Sequence, residues 1–254
     1  MPMILSPDVL AHRDWLLSMA VLPEPGAVVD LGCGVGADLL SLASRSGHPK
    51  HRFVGLDASE KSVTEASARS QDPRVEFKQA HLGERLPFGD REFDVVYSNN
   101  LLECLADPIA FATEVGRILK PAGIAIIGHW DWDSQVFDGS DKALVRRLVH
   151  AFADWKQPWM DHADGWMGRR LWGVFNRTGL FEGTTQARVL TNTIYQEPWY
   201  GHERAKDFHS LVKRGLATAE DVALFTAEQE SLAATGRYFY SITGYAFVGR
   251  RRDA

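Results

Sequence analysis

Cysteine is scarce in this 254-residue chain, which has two, Cys33 and Cys104. Neither belongs to a C-x-x-C pair, so the thiols form no disulfide framework and no zinc cage, and a reducing compartment fits. There is no basic excess either. Lys and Arg total 28 against 33 Asp and Glu, a formal net charge of −5, which argues against a nucleic-acid partner. The dense run Arg250-Arg251-Arg252 reads as a solvated tail. No apolar stretch approaches the ~20 residues a membrane-spanning helix requires. The opening MPMILSPDVL lacks the charged segment and apolar run of a signal peptide. Internal repeats and low-complexity linkers are also missing. These absences leave a soluble cytoplasmic protein, read as one domain over 1–254, with 45% apolar residues to build a core. They say nothing about its oligomeric state.

Apolar runs and turn residues alternate through the first half. Val28-Val29-Asp30-Leu31 is a short strand that stops at glycines, and Ala37 to Ser46 reads as a helix closed by Gly47. Further strands are predicted over Arg52 to Asp57, Arg74 to Gln79, Phe93 to Ser98 and Ile124 to His129. Helices are predicted after Ser59-Glu60 and over Pro108 to Leu119, the latter ended by Lys120-Pro121-Ala122-Gly123. Strands that are continuous apolar runs, separated by helices, indicate a doubly wound α/β sheet covered on both faces. The second half predicts helices within Phe137 to Ala153 and Trp166 to Thr178. A strand at Val189 to Tyr195, helices over His202 to Arg214 and Thr218 to Ala234, and a final strand over Tyr238 to Val248 follow.

VVDLGCGVGADLL places Gly32, Gly34 and Gly36 between a strand and a helix. Glycine there permits positive φ and close backbone approach to a ligand, and the helix N-terminus adds unpaired N–H groups. Asp57 ends the next strand, where an acidic side chain reaches a ribose diol. These features indicate a nucleoside ligand, and NAD and adenosyl cofactors both remain open on them.

VVDLGCGVG, VGLDAS, QAHLGERLPFGDREFDVVYSNNLLECLADP and ILKPAGIAIIGH, in this order from Ala27 to His129, resemble the class I S-adenosylmethionine-dependent methyltransferases. The resemblance is strongest to the small-molecule branch of quinone and natural-product biosynthesis. It implies a Rossmann-like seven-stranded sheet with an antiparallel last strand and helical cap insertions in the C-terminal half. An N-terminal helical lid (1–26), a cofactor core (27–129) and a substrate cap (130–254) would make up the domain. S-adenosyl-L-methionine would be the cofactor. Gly32, Cys33 and Gly34 would lie under its methionine portion, with Asp30 orienting the loop or the amino group. Asp57 would bind the ribose, Ala58 would pack on the adenine and Ser98 would offer backbone contacts. The third motif departs from the family by placing Leu82 where relatives carry an acid, with His81 beside it. Adenine recognition would then rest on backbone groups, apolar packing and His81. Arg13 could reach the cofactor carboxylate, although it reads first as a surface residue.

Methyl transfer from a sulfonium needs positioning and water exclusion more than an invariant catalytic group. His129 is the sequence's candidate base. His129, Asp131 and Asp133 have metal-ligand types at alternating positions, but a wall of the substrate pocket is the favoured reading and no metal is expected. Seven of the eight tryptophans lie from Trp130 to Trp199. They are read mainly as core, with stacking on a planar or cationic acceptor as the alternative. Trp130, Tyr195, Trp199, Tyr200 and His202 are the candidate acceptor-site residues, for a small molecule among which aromatic acceptors count. Arg169-Arg170 reads as a solvated helix face, with an anionic substrate group as its other use. The leading function is methyl transfer to an oxygen, nitrogen or carbon. An NAD-dependent oxidoreductase and a non-catalytic adenosyl-binding protein are the alternatives.

Overall fold

The computed structural model describes residues 6–83 and 85–253. The first five residues of the predicted lid, Glu84 within the third motif and Ala254 lie outside them. Helix α1 (Pro7–Leu17) precedes strand β1 (Ala27–Leu31), and the core follows as α2 (Ala37–Arg45), β2 (Arg52–Asp57), α3 (Glu60–Arg69), β3 (Val75–Gln79), β4 (Phe93–Asn99), α4 (Pro108–Ile118) and β5 (Leu119–Phe137). The second half runs α5 (Lys142–Ala153), α6 (Met167–Arg177), β6 (Phe181–Asn192), α7 (Tyr200–Lys213), α8 (Ala219–Ala234) and β7 (Tyr240–Arg251). Seven strands form one sheet in the order β3-β2-β1-β4-β5-β7-β6. The first five are parallel, and β7 runs antiparallel between β5 and β6. The α/β doubly wound architecture and the antiparallel last strand are as expected.

The pleat explains why the parallel strands carry no polar alternation. Successive residues point to opposite faces, and both faces are covered. Val29, Leu31 and Val96 pack with Phe111, Leu171 and Phe175 on one side. Val28, Val95 and Tyr97 pack with Leu16 and Leu39 on the other. A large apolar side chain buried this way contributes about 2–3 kcal/mol relative to exposure.

Strands β5, β6 and β7 run beyond their predicted bounds. Strand β7 reaches Arg251, so Arg250 and Arg251 are ladder residues opposite Glu182 and Phe181 and not a solvated tail. Strand β5 continues well past His129, because β7 pairs with it from Ile124↔Arg250 to Phe137↔Tyr240, with an irregularity between Asp131 and Val136. The extension supports a third apolar cluster, in which Trp130 and Phe137 meet Leu148, Phe208, Phe225 and Tyr240. The predicted helix from Phe137 consequently starts at Lys142, where the Asp141 carboxylate accepts from the Ala143 and Leu144 N–H groups at 2.9 Å each. Strand β6 begins at Phe181 rather than Val189 and ends at Asn192. It is an edge strand with most side chains exposed, so its sequence shows no apolar run and the ladder to β7 defines it.

Candidate functional site

The loop after β1 is built by its own backbone. Gly32, Gly34 and Gly36 have φ of +79°, +52° and +78°, the left-handed region that favours glycine. The Gly32 and Cys33 N–H groups donate to the Leu56 carbonyl at 2.8 and 2.9 Å, tying the loop to β2. Gly34 N–H donates to Asp57 Oδ2 at 2.8 Å, and Ser59 N–H donates to Oδ1 at 2.9 Å. Each Asp57 oxygen keeps lone-pair capacity for a second donor. A Cβ on Gly36 would lie 2.5 Å from the Phe77 ring, whereas one on Gly34 would meet nothing within 4 Å. The Gly34 backbone therefore faces open space, in a cleft of about 1290 Å³ that Asp30, Gly32, Cys33, Asp57 and Ala58 also line.

Three carboxylates crowd this end of the cleft. Asp30 is buried, and burial, then Asp38 and Asp57, push its carboxyl well above the usual range while Arg13 opposes them. Asp38 holds Arg13 Nε at 2.6 Å and accepts from the Tyr97 hydroxyl at 3.0 Å. Arg13 is thus a mostly buried, paired cation on the cleft wall, not the surface residue first expected. An acid-rich loop suits a ligand with positive centres near the glycines, such as an ammonium and a sulfonium. A pyrophosphate there would meet like charge at close range. The donor set thus fits S-adenosylmethionine and opposes NAD. Burial pushes the thiols of Cys33 and Cys104 up, so both stay protonated.

The far wall of this half holds His81 and Leu82. Leu82 is buried in the core below, whereas His81 is exposed with Nε2 3.9 Å from Asp161 Oδ2. Ser98 is placed differently from expectation. It is fully buried, its hydroxyl donates to the Leu31 carbonyl at 2.7 Å across β1 and β4, and the cleft wall is formed by the next residue, Asn99.

The other half of the cleft is aromatic. Four of the seven second-half tryptophans, Trp130, Trp132, Trp155 and Trp159, line it together with Tyr200, so the reading of these residues mainly as core holds for Trp130 alone, the one that is buried. His12 from α1 stacks on Trp130 with ring centroids 3.9 Å apart. Burial, then Arg188, lowers the His12 imidazole to about 3, so it is neutral. The Arg204 guanidinium lies 4.8 Å from the Tyr200 ring centroid and pairs with Asp207 at 2.7 Å. Tyr195, Trp199 and His202 do not line the cleft. Tyr195 packs on His202 and Tyr238 at 4.8 and 4.9 Å instead.

His129 is also displaced from its expected role. It is fully buried and outside the cleft, its Nδ1 bonded to the Trp130 carbonyl at 2.7 Å and its Nε2 accepting from Glu103 N–H at 3.4 Å. Burial lowers it to about 4. With both ring nitrogens engaged by backbone, it orders β5 against the turn after β4. Asp131 and Asp133 are committed as well. Arg169 forks onto Asp131, with Nη2 2.6 Å from Oδ1 and Nε on Oδ2, and Trp166 Nε1 donates to Asp133 at 3.0 Å. Arg170 pairs with Asp164. Both arginines are exposed on the face of α6, as expected, and pair there with Asp131 and Asp164. Glu197, His202 and Glu203 converge at the surface, but the Lys206 ammonium stands among them, 2.5 Å from Glu197.

Sequence reading missed Glu103, on a 3-10 turn over Leu102–Cys104. It lines the cleft, is buried, and accepts from Trp132 Nε1 at 2.6 Å. Burial raises its carboxyl to about 8, with Trp132 opposing the shift. The available signal was an acid inside an otherwise apolar run, Leu101-Leu102-Glu103-Cys104-Leu105.

Comparisons with known proteins agree with this geometry. Residues 29–127 match the methyltransferase-domain family. The trans-aconitate 2-methyltransferase of Variovorax paradoxus is 33% identical over 188 residues, 72% of this chain and 66% of that protein. Residues 29–127 thus carry a methyltransferase domain, on the class I S-adenosylmethionine-dependent methyltransferase fold. A 37.1 kDa protein in transposon TN4556 of Streptomyces fradiae is 28% identical over 89% of this chain and 63% of its own length. The chain thus spans slightly under two thirds of each of these relatives. Among solved structures, the YcgJ protein of Bacillus subtilis superposes with a TM-score of 0.62 at 18% identity, covering 96% of this chain and all of that one. The [4+2]-cyclase SpnF superposes with a TM-score of 0.59 at 18% identity, covering 97% and 81%. These likenesses show the fold, and the cyclase shows that this fold hosts more than one reaction.

Proposed function

We propose that this protein transfers a methyl group from S-adenosylmethionine to a small organic acceptor, as a single cytoplasmic domain acting on neither nucleic acid nor membrane. The observation that carries the reading is the two-part cleft, an acid-rich glycine loop opening directly into an aromatic chamber. Its volume of about 1290 Å³ exceeds the few hundred Å³ to roughly 1,000 Å³ usual for one ligand. That leaves room for two molecules side by side. The methyltransferase domain and the small-molecule substrates named for relatives, trans-aconitate among them, support the same reading.

S-adenosylmethionine, when bound, supplies a methyl group already activated on a sulfonium. The chain has to hold the acceptor in line with it and keep water out. In this reading Gly32, Cys33 and Gly34 form the floor beneath the methionine portion. Asp30 faces its ammonium, Asp57 takes the ribose hydroxyls, and Ala58, His81 and Leu82 border the adenine. Helix α1 covers the cleft through His12 and Arg13, and α5 and α7 close the acceptor side through Phe152, Tyr200 and Arg204.

Calorimetric titration with S-adenosylhomocysteine tests the proposal. Saturable binding that NADH does not compete, with turnover of S-adenosylmethionine in the presence of acceptor, is the expected result. Binding of NADH but not the homocysteine would establish the oxidoreductase alternative. Cofactor binding without turnover over a broad acceptor panel would leave a non-catalytic adenosyl-binding protein.

A further inference from the structure

Glu103 stands where the two halves of the cleft meet. The turn that carries it is pressed against the glycine loop, since a Cβ on Gly32 would lie 3.1 Å from a Leu101 methyl carbon. Two residues further on, the Glu103 carboxyl lines the cleft beside Trp132, Trp130 and Tyr200. Its described partner is the Trp132 indole N–H, which fixes one oxygen and leaves the other for a second hydrogen bond. The side chain forms no ion pair among the described residues, so no cation accounts for a carboxyl in this apolar setting. Such a group, buried at a cleft wall without a structural counter-charge, has the environment of a proton-transfer residue.

We infer that Glu103 is the general base of the acceptor chamber, and that the acceptor is a planar compound bearing a phenolic or enolic hydroxyl. The inference rests on the methyltransferase reading above and names its substrate class. Trp132, Trp155 and Trp159, none of them fully buried, line the chamber and give a planar acceptor aromatic surface to pack on. A cationic acceptor fits less well, because the Arg204 guanidinium already lies over the Tyr200 ring. In the step, the acceptor O–H bond breaks and its proton passes to the Glu103 carboxylate. The oxygen lone pair forms the new O–CH3 bond as the CH3–S bond breaks, its electron pair remaining on sulfur to give the neutral thioether. No further reactant is required.

The groups around Glu103 set its titration. Burial raises the carboxyl, the Trp132 indole N–H opposes, and Asp164 in the segment leading into α6 adds to the rise. The other ionisable groups nearby are Cys104 on the same turn with Asp161 beside it, His129 on β5, and Tyr200 and Arg204 of α7 on the cleft wall. With the carboxyl raised to about 8, the base is ionised, and kcat full, only above that pH.

The test uses 2-naphthol and 4-nitrophenol as acceptors and 2-naphthylamine as the control, with wild type, Glu103→Gln and Trp155→Ala. Wild type should methylate both phenols and favour 2-naphthol over the amine, with kcat rising towards pH 8. Glu103→Gln should lose about 100-fold in kcat on 2-naphthol, the scale of a general base, and less than about 10-fold on 4-nitrophenol, whose hydroxyl ionises unaided. Its pH profile should lose the Glu103 step near 8 and follow the ionisation of the acceptor hydroxyl alone. Tryptophan-fluorescence titration with 2-naphthol in the presence of S-adenosylhomocysteine supplies a readout without turnover. Affinity should be unchanged in Glu103→Gln and reduced in Trp155→Ala. Equal losses on the two phenols, or an unchanged pH profile, would overturn the base assignment. A wild type that binds S-adenosylhomocysteine yet prefers the amine, or methylates neither phenol, would overturn the acceptor class and leave the methyltransferase reading standing. Failure to bind S-adenosylhomocysteine would instead remove that reading.

Discussion

The two halves of the cleft are made by different means. The floor of the glycine-loop half comes from β1 to the end of β2, and its contacts run through backbone N–H groups, the Leu56 carbonyl and Asp57. The aromatic half is assembled from side chains of α1, β5, α5, α7 and the turn after β4, residues nearly two hundred positions apart. A backbone-built site tolerates few substitutions, because φ and close approach are specified at each glycine. A side-chain-built chamber can be refashioned residue by residue over the same sheet. This division lets one cofactor platform serve many acceptors.

Four experiments would break or sharpen this comparison. The largest expected effect lies in the frame that supports the aromatic half. Arg169→Ala leaves the Asp131 carboxylate, whose side chain is 1% exposed, without its charge partner. It should cost about 3 kcal/mol of stability, the lower end for a broken buried pair because Arg169 itself is partly exposed. Chemical denaturation measures it, and a loss below about 1 kcal/mol would mean that this pair does not hold β5 against α6.

Asp57→Ala should weaken S-adenosylhomocysteine binding by about 1–3 kcal/mol through lost charge-assisted hydrogen bonds. Binding of 2-naphthol should be unaffected. If both ligands weaken together by calorimetry, the halves are not independent. Trp155→Ala is the mirror experiment. About 1 kcal/mol of aromatic contact should disappear from acceptor binding, with cofactor affinity preserved, and the opposite pattern would place Trp155 in the cofactor site.

The pH dependence of stability is the smallest and most diagnostic of the four. His12 and His129 are held neutral, lowered to about 3 and 4, so the unfolded chain takes up protons below pH ~6.5 that the native chain refuses. Their contribution should be complete above that pH and lost as pH falls towards 4. Glu103 has the opposite sign. Its carboxyl, raised to about 8, favours the native state below its ordinary value and progressively disfavours it as pH rises to 8. Melting temperatures should therefore show Glu103→Gln gaining on wild type between pH 5 and 8, by an amount that grows with pH. A constant offset would place Glu103 in a solvated setting.

Sequence alone carried the glycine-loop half. Gly32, Gly34, Gly36 and Asp57 are legible because the turn, the positive φ and the acid at the next strand end are all local. The parallel strands were legible for a related reason, since burial on both faces leaves unbroken apolar runs. Strand β6 was only partly legible, because Gly183 to Arg188 is mostly exposed and its strand character exists only in pairing with β7. In the aromatic half, Trp130 and Tyr200 line the cleft as expected and the other candidates lie outside it. His129 lies within β5, not after it, and the pleat turns it inward, onto the Trp130 carbonyl and the Glu103 N–H. Tyr195 and Trp199 precede α7 and His202 lies in its first turn, yet of this group only the expected Tyr200 lines the cleft, joined by Arg204 one turn on. What the sequence by itself determined was the backbone conformation of the loop and the covered sheet, which follow from short-range sterics and hydrophobic burial. Only the tertiary structure decided that Glu103, unremarkable among leucines, faces a chamber of tryptophans. That depends on which side chains five separate elements bring to one place, and no local propensity encodes it.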